Sequence, residues 1–462
     1  MSPAQNDVTG ALVGHALEAR YEALTPDVVA QTKALLLDYL GVAFGGVAVA
    51  ESSGPITAGV LELAEGGAGQ ATVIGRSERL PAHYAALLNA TYAHSMDFDD
   101  THRESVIHIG TPMFATLLAL GERAKSGGRD LLAAAAAGYD VTAAIGMAHG
   151  GAVHAHGFHP TATTGVFGCT AAGARLLGLS AEQTANALGL NVSQSAGSLQ
   201  FLVNGAWNKR FHVGLSAHHA IVALTMARHG YVGSTEPIEG RDGYLRLYAG
   251  DAGLAPRVLR HLSALGERPA VLDTAVKPYP SCRYTHPSID ALTELVRSGH
   301  VRTEDVDSVS IEFGPTAYGL VGIDPERKRA PVGVVDGQFS VYFTAAATLL
   351  TGGFGWDRYD LLTDPAARAM AERVSVTQVD SLGASMETRV RVGLRSGQTI
   401  ERTVPYPKGE PENPLTWEEL SGKFTEWASG VLGSERARRV ADAVASLEDS
   451  TDLGKFAALL RP

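Results

Sequence analysis

The chain has 462 residues, 45 % hydrophobic and 19 % charged, with 52 glycines and a formal net charge of −11. That length exceeds one compact core and points to two domains of ordinary soluble, globular composition. The acidity argues against nucleic acid as a partner, because phosphate binding needs a clustered basic surface, but it leaves room for a small anion in a local basic pocket.

In chain order, Thr25-Pro26-Asp27 reads as a helix start, with an N-cap, a proline at the first position and an acid in the first turn. Val28, Val29, Leu35, Leu36, Tyr39, Leu40 and Val42 form its apolar face, and Gly45-Gly46 is expected to end it. Further helices are predicted over 82–93, 113–125, 131–148, 163–177, 181–188 and 213–229, with a capping box from Ser180 to Gln183. Near residue 270 the character changes. Val309, Ile311 and Phe313 alternate with polar residues, as do Val390, Val392 and Leu394, and Ser396-Gly397-Gln398 turns the chain into a hairpin with 399–404. Helices are expected between the strands at 287–298, 339–350 and 366–373, and the tail from Trp417 to Leu460 returns to helix.

The fold class is therefore mainly α with a second α+β domain. The expected division is a helical domain over 1–268 and 411–462, interrupted by an α+β domain over 269–410. The proline-rich segment 405–414 is read as the crossing back.

The opening residues lack the basic flank and apolar core of a signal peptide. No apolar stretch of spanning length runs without Gly, Pro or polar interruption. Two cysteines, Cys169 and Cys282, imply no disulfide framework. A cytoplasmic protein with no membrane partner is expected. An iron–sulfur cluster takes about three or four thiolates, so any dehydration must rely on other side chains.

Four segments concentrate unusual polar groups. Three aspartates and three histidines fall within residues 94–108: His94, Asp97, Asp99, Asp100, His102 and His108. Helix capping explains part of such a loop, but the density of titratable groups favours catalysis or substrate binding, with metal the weakest reading. His154, His156 and His159 lie in a loop made by Gly157 and Pro160, ahead of a helix. A helix N-terminus offers free N–H groups to a carboxylate, which favours an anion or acid–base role over a metal tract. Lys209 and Arg210 are embedded among aromatic and apolar residues. The segment 276–286 carries Lys277, Arg283 and His286 in a proline-stiffened loop where the second domain opens. Together these cations, histidines and acids suit a small polycarboxylate substrate. Cations neutralise its carboxylates, and histidines or lysines move the adjacent proton.

The order and spacing of LLLDYLGVAFGG, HSMDFDDTH with His108, GFHPTATTGVFG, NKRFH, KPYPSCRYTH and DGQFSVYF resemble the MmgE/PrpD family. That family includes 2-methylcitrate dehydratase, cis-aconitate decarboxylase and iminodisuccinate epimerase. The resemblance runs over nearly the whole chain. It implies a large helical domain with a smaller lid domain, usually a homodimer, and an active site between the domains without metal or organic cofactor. It places Asp97, Thr101, His108, His159, Lys209 and Lys277 in that site, with the lysines as carboxylate binders and the two histidines as the proton-handling pair. Arg283 and His286 are added as further substrate contacts, since guanidinium grips carboxylate in bidentate fashion. The chain departs from the cis-aconitate decarboxylases at Cys282, where they carry histidine, and at Phe343, where they carry tyrosine.

The leading expectation is a hydro-lyase acting on a di- or tricarboxylate such as 2-methylcitrate. The alternatives are an epimerase of an aminopolycarboxylate, a cis-aconitate-type decarboxylase, a metal-dependent hydrolase built on His154, His156 and His159, and a catalytically silent binding protein.

Overall fold

A computed structural model describes residues 7–65, 69–383 and 385–462; residues 1–6, the start of the stretch read above for a signal peptide, lie outside them. The chain divides into two units. The first comprises Met1–Phe201, Trp207–Val276 and Thr416–Pro462, and the second Leu202–Ala206 and Lys277–Leu415.

The first unit is helical. Its main elements are α1 (Val8–Glu18), α2 (Pro26–Val49), α3 (Ser53–Leu63), α4 (Ala82–His94), α5 (Gly110–Ala124), α6 (Gly128–His149), α7 (Pro160–Leu177), α8 (Ala181–Asn191), α9 (Asn208–Arg228) and α10 (Ala255–Glu267). Two short ribbons join them: β1 (Ala71–Thr72) with β2 (Arg79–Leu80), and β3 (Thr101–His102) with β4 (Thr274–Ala275). The expected caps are present. Thr25 Oγ1 accepts from the Val28 amide, and Ser180 and Gln183 form a reciprocal box at α8.

One expectation fails. Helix α2 does not stop at Gly45-Gly46 but runs to Val49. A Cβ on Gly46 would collide with the Tyr92 carbonyl, and one on Gly45 would lie 2.5 Å from Met96 Sδ. These glycines let α2 press against the end of α4, and close approach, not termination, is their purpose. Helices α4 and α9 meet in the same way, where a Cβ on Gly214 would strike Thr91 Oγ1.

Helices α2 and α6 are long and apolar enough to cross a bilayer by length and composition, but 72 % and 94 % of their most apolar stretches are buried inside the protein. They are core helices by packing.

The second unit contains α11 (His286–Arg297), α12 (Val341–Thr351), α13 (Pro365–Ala371) and a four-stranded sheet. The sheet is formed by β5 (Val306–Phe313), β6 (Val374–Gln378), β7 (Thr388–Leu394) and β8 (Thr399–Val404), in the order β6-β5-β7-β8. β5 and β6 are parallel, whereas β7 is antiparallel to both β5 and β8. Val309, Ile311 and Phe313 point into the core with Val390 and Val392, which is the alternation expected of a sheet buried on one face.

The chain then returns to the first unit through α14 (Trp417–Leu432) and α15 (Ser434–Ala445). Lys423 of α14 is buried. Its Nζ lies 2.6 Å from Asp38 Oδ1, donates to the Phe98 carbonyl at 2.8 Å and sits 3.6 Å from the centre of the Phe98 ring. The tail thereby holds the loop that follows α4.

Candidate active site

The site of the first unit is assembled from four places in the chain. Helix α4 ends at His94, and the backbone turns sharply through Asp97, which adopts the left-handed conformation at φ 51°. Asp and Asn tolerate that region better than other non-glycine residues. The chain then forms a tight hairpin, with His102 and Ile107 bridged, and delivers His108 just ahead of α5. The carboxylate of Asp100 accepts from the Gly110 amide at 3.1 Å and from Tyr139 at 2.8 Å, which ties the turn to the start of α5. His159 is the residue before α7, and Lys209 lies in the first turn of α9.

These pieces converge. His94 Nδ1 lies 2.7 Å from Asp99 Oδ2 and His108 Nδ1 lies 3.3 Å from the same oxygen, which also accepts from Thr111 Oγ1 at 2.6 Å. His108 Nε2 is 3.9 Å from Asp97 Oδ1, and Lys209 Nζ is 2.5 Å from that oxygen. The His94 ring centre is 4.7 Å from that of His108 and 5.9 Å from that of His159, and His159 is a further 5.9 Å from His212. Thr101 is buried in β3. Its Oγ1 has no hydrogen-bond partner among the described residues, and neither do His94 Nε2, His159 Nδ1 and Asp99 Oδ1. Buried polar atoms normally find partners, so orphans gathered here mark a place prepared for a ligand or water.

The electrostatics divide the histidines from the acid behind them. Burial pushes His94 down to about 4, against the pull of Asp99. Burial, with His94, Lys209, His212 and His108 nearby, holds His159 well below its ordinary value. Burial alone would raise Asp99, but His108 and His94 outweigh it and hold the carboxyl well below the usual range. Asp100, next in sequence, goes the other way: burial first, then the Asp99 charge, raises it well above that range. The result is a charged Asp99 and neutral His94 and His159 near pH 7, with Asp100 held more readily protonated than its neighbour. Because the charged Asp99 can only accept, His94 carries its proton on Nδ1.

Among the described residues, His94, Asp99 and His108 are the one group that could supply three ligand atoms to a metal. Their 2.7 Å Nδ1–Oδ2 separation is that of a hydrogen bond and is shorter than the roughly 3.3 Å edge of a tetrahedron with ~2.0 Å bonds. The donors are knit to one another. The run considered above as a metal tract does not gather: His154 and His156 are exposed, His156 Nδ1 contacts the Tyr248 carbonyl at 2.9 Å, and His159 is buried.

The remaining predicted residues lie in the second unit. Lys277 is buried there. Arg283 forms a buried ion pair with Glu410. His286 Nε2 lies 3.2 Å from the Ser281 carbonyl, with its ring against Tyr279. Cys282 belongs to the core of that unit, and Phe343 packs with Phe354 and Tyr359. Three residues of the first-unit cluster were not singled out individually from sequence. His94 and Asp99 sit inside the quoted HSMDFDDTH motif, and His212 ends NKRFH. The usable signal was that a histidine closing a helix five residues before an aspartate can fold back onto it.

Comparison with known proteins places the whole chain. The model of the MmgE/PrpD N-terminal domain matches residues 10–257, and that of the MmgE/PrpD C-terminal domain matches residues 279–449. The chain is 27 % identical to the cis-aconitate decarboxylase-like protein oryM of Aspergillus oryzae, over 99 % of this chain and 98 % of that protein. It is 25 % identical to a cis-aconitate decarboxylase of Aspergillus terreus, over 99 % and 97 %, and 27 % identical to the Homo sapiens cis-aconitate decarboxylase, over 98 % and 93 %. With both domain models matched in order along nearly the whole chain, the protein belongs to the MmgE/PrpD family.

Proposed function

We propose that this protein is a lyase that removes a proton next to a carboxylate of a small di- or tricarboxylate, using the histidines of the first unit. The observation that carries the reading is the buried pair of His94 and His108 on one oxygen of Asp99, with neutral His159 and the Lys209 ammonium beside it. A neutral imidazole kept from water is suited to take a proton, so His159 is assigned as base. An imidazole backed by a charged carboxylate is stabilised as imidazolium, so His108 is assigned as the proton donor to a departing hydroxyl. Lys209 neutralises a substrate carboxylate, which lowers the cost of the carbanion that forms beside it. Loss of hydroxide is the preferred outcome because Cys282 and Phe343 stand where decarboxylases carry histidine and tyrosine.

A second reading is decarboxylation. It is favoured by the likeness, along nearly their full lengths, to the cis-aconitate decarboxylases. There the same histidines would return a proton to the carbon that lost CO2. One experiment serves both: a panel of polycarboxylates, including 2-methylcitrate, citrate, cis-aconitate and iminodisuccinate, incubated in deuterated water. Deuterium uptake next to a carboxylate reports the shared proton step. New ultraviolet absorbance from a conjugated double bond marks dehydration, released CO2 marks decarboxylation, and changed optical rotation without either marks epimerisation. No deuterium uptake and no turnover across the panel would refute the lyase reading.

A further inference from the structure

Where α3 faces the start of α9, the first unit holds a cavity of about 410 Å³ whose lining includes Ser52, Pro55, Ile56, Trp207, Arg210 and Phe211 and none of the histidines. Its walls are largely apolar: Pro55 and Ile56 come from α3, and the rings of Trp207 and Phe211 are 39 % and 37 % exposed. Arg210 is different. It is 4 % exposed, and its guanidinium donates one hydrogen bond, from Nη1 to Ser52 Oγ at 2.8 Å. Among the described residues no carboxylate lies within ion-pair distance of it. Glu51 and Asp97 favour its charge from farther away against the cost of burial. Both are engaged elsewhere: Asp97 with Lys209, and the exposed Glu51 with Trp207 Nε1 at 2.8 Å.

A buried cation without an anion is expensive, and a guanidinium offers five donors in a planar fork, of which Ser52 uses one. The cavity also lies at the start of the 21-residue helix α9, where Trp207 supplies no side-chain cap. The uncapped first-turn amides add positive potential on the same side. Apolar walls closing on a single buried cation describe the complement of a singly charged anion with an apolar body. They do not suit a polycarboxylate, whose further charges would face Pro55, Ile56 and the aromatic rings.

We propose that this cavity is a second, non-catalytic site for a small organic monocarboxylate with a flat or branched apolar body, its carboxylate held by Arg210. Because the readout is binding, the test does not depend on the reaction assigned above. The full chain is titrated calorimetrically with benzoate, and with benzamide as the neutral counterpart, in the presence of saturating citrate to occupy the histidine site. Benzoate binds and benzamide binds at least about tenfold more weakly, as expected for loss of a charged hydrogen-bond partner. Arg210→Gln weakens benzoate by about 10- to 100-fold. Should Arg210→Gln fail to fold, Ile56→Trp fills the cavity from the half-buried face of α3 and abolishes binding with an unchanged circular dichroism spectrum. The proposal is overturned if benzoate binds Ile56→Trp as it binds the parent, if it binds only when citrate is left out, or if benzamide binds equally well. It is also overturned if Ile56→Trp changes the sedimentation coefficient, which would assign the cavity to a second copy of the chain.

Discussion

His94 and His108 address the same oxygen of Asp99, at 2.7 and 3.3 Å, and their rings meet edge to face at 4.7 Å. Two imidazoles are thus oriented by one charge. Asp99→Asn keeps the volume but removes that charge and offers an amide where an acceptor is needed. Turnover is expected to fall by about 10²- to 10⁴-fold, the scale seen when an orienting carboxylate is lost, with far-ultraviolet circular dichroism unchanged. Steady-state kinetics on the active polycarboxylate provide the check.

Lys209 and His159 should separate in their kinetic effects. Lys209→Met removes a carboxylate partner and is expected to lower kcat/KM by about 10- to 100-fold, mainly through KM. His159→Gln removes the base proposed above and is expected to lower kcat by about 10²- to 10⁴-fold with KM little changed. Full activity in both variants would remove these residues from the chemistry.

Gly197, at φ 146°, brings its loop against the histidines. A Cβ there would lie 2.9 Å from that of Ala162 and 3.3 Å from His212 Nδ1. Gly197→Ala is expected to destabilise the protein by about 1–3 kcal/mol and to lower turnover by displacing His159 and His212. Denaturant unfolding followed alongside kcat measures both effects.

Stability should rise between about pH 4.5 and 6.5. Burial lowers nine histidines (His83, His94, His149, His154, His159, His212, His218, His219 and His261), so the unfolded chain binds their protons first as pH falls. Each contributes stability that is present above its unfolded value near 6.5 and is lost on acidification, with a limiting slope of about 1.4 kcal/mol per pH unit. The three aspartates raised by burial (Asp100, Asp140 and Asp290) act in the opposite direction but are outnumbered. Urea midpoints measured across this range would contradict the assignment if they were flat or fell with pH.

Much of the secondary structure was legible because its signals are local. Thr25 and Ser180 cap the helices they were expected to cap, and the alternation at Val309, Ile311 and Phe313 is a strand. β6 escaped notice because its alternation is only two residues deep: Val374 is buried and Val376 partly so, with Ser375 and Thr377 exposed between and after them. The glycine pair in α2 was misread because a helix terminator and a helix contact look alike until the neighbour is known. The same limit applied at the site. Asp97 and Lys209 come together from 112 positions apart. By contrast, the use of Arg283 by Glu410 depends on a partner 127 positions away that no local pattern announces. His94 and Asp99 lay within a motif of conspicuous polarity, but only the fold shows that they face each other.

The glycine pair has a further consequence. Met96, against which Gly45 rests, immediately precedes Asp97, and Tyr92, against which Gly46 rests, lies in the last turn of α4, two residues before His94. The positions of the acid and the imidazole are therefore gauged by two side chains that are missing from a helix carrying no reactive group. A single methyl added there would act as a shim, shifting Asp97 and the loop after it as a block while removing no side chain of the candidate site.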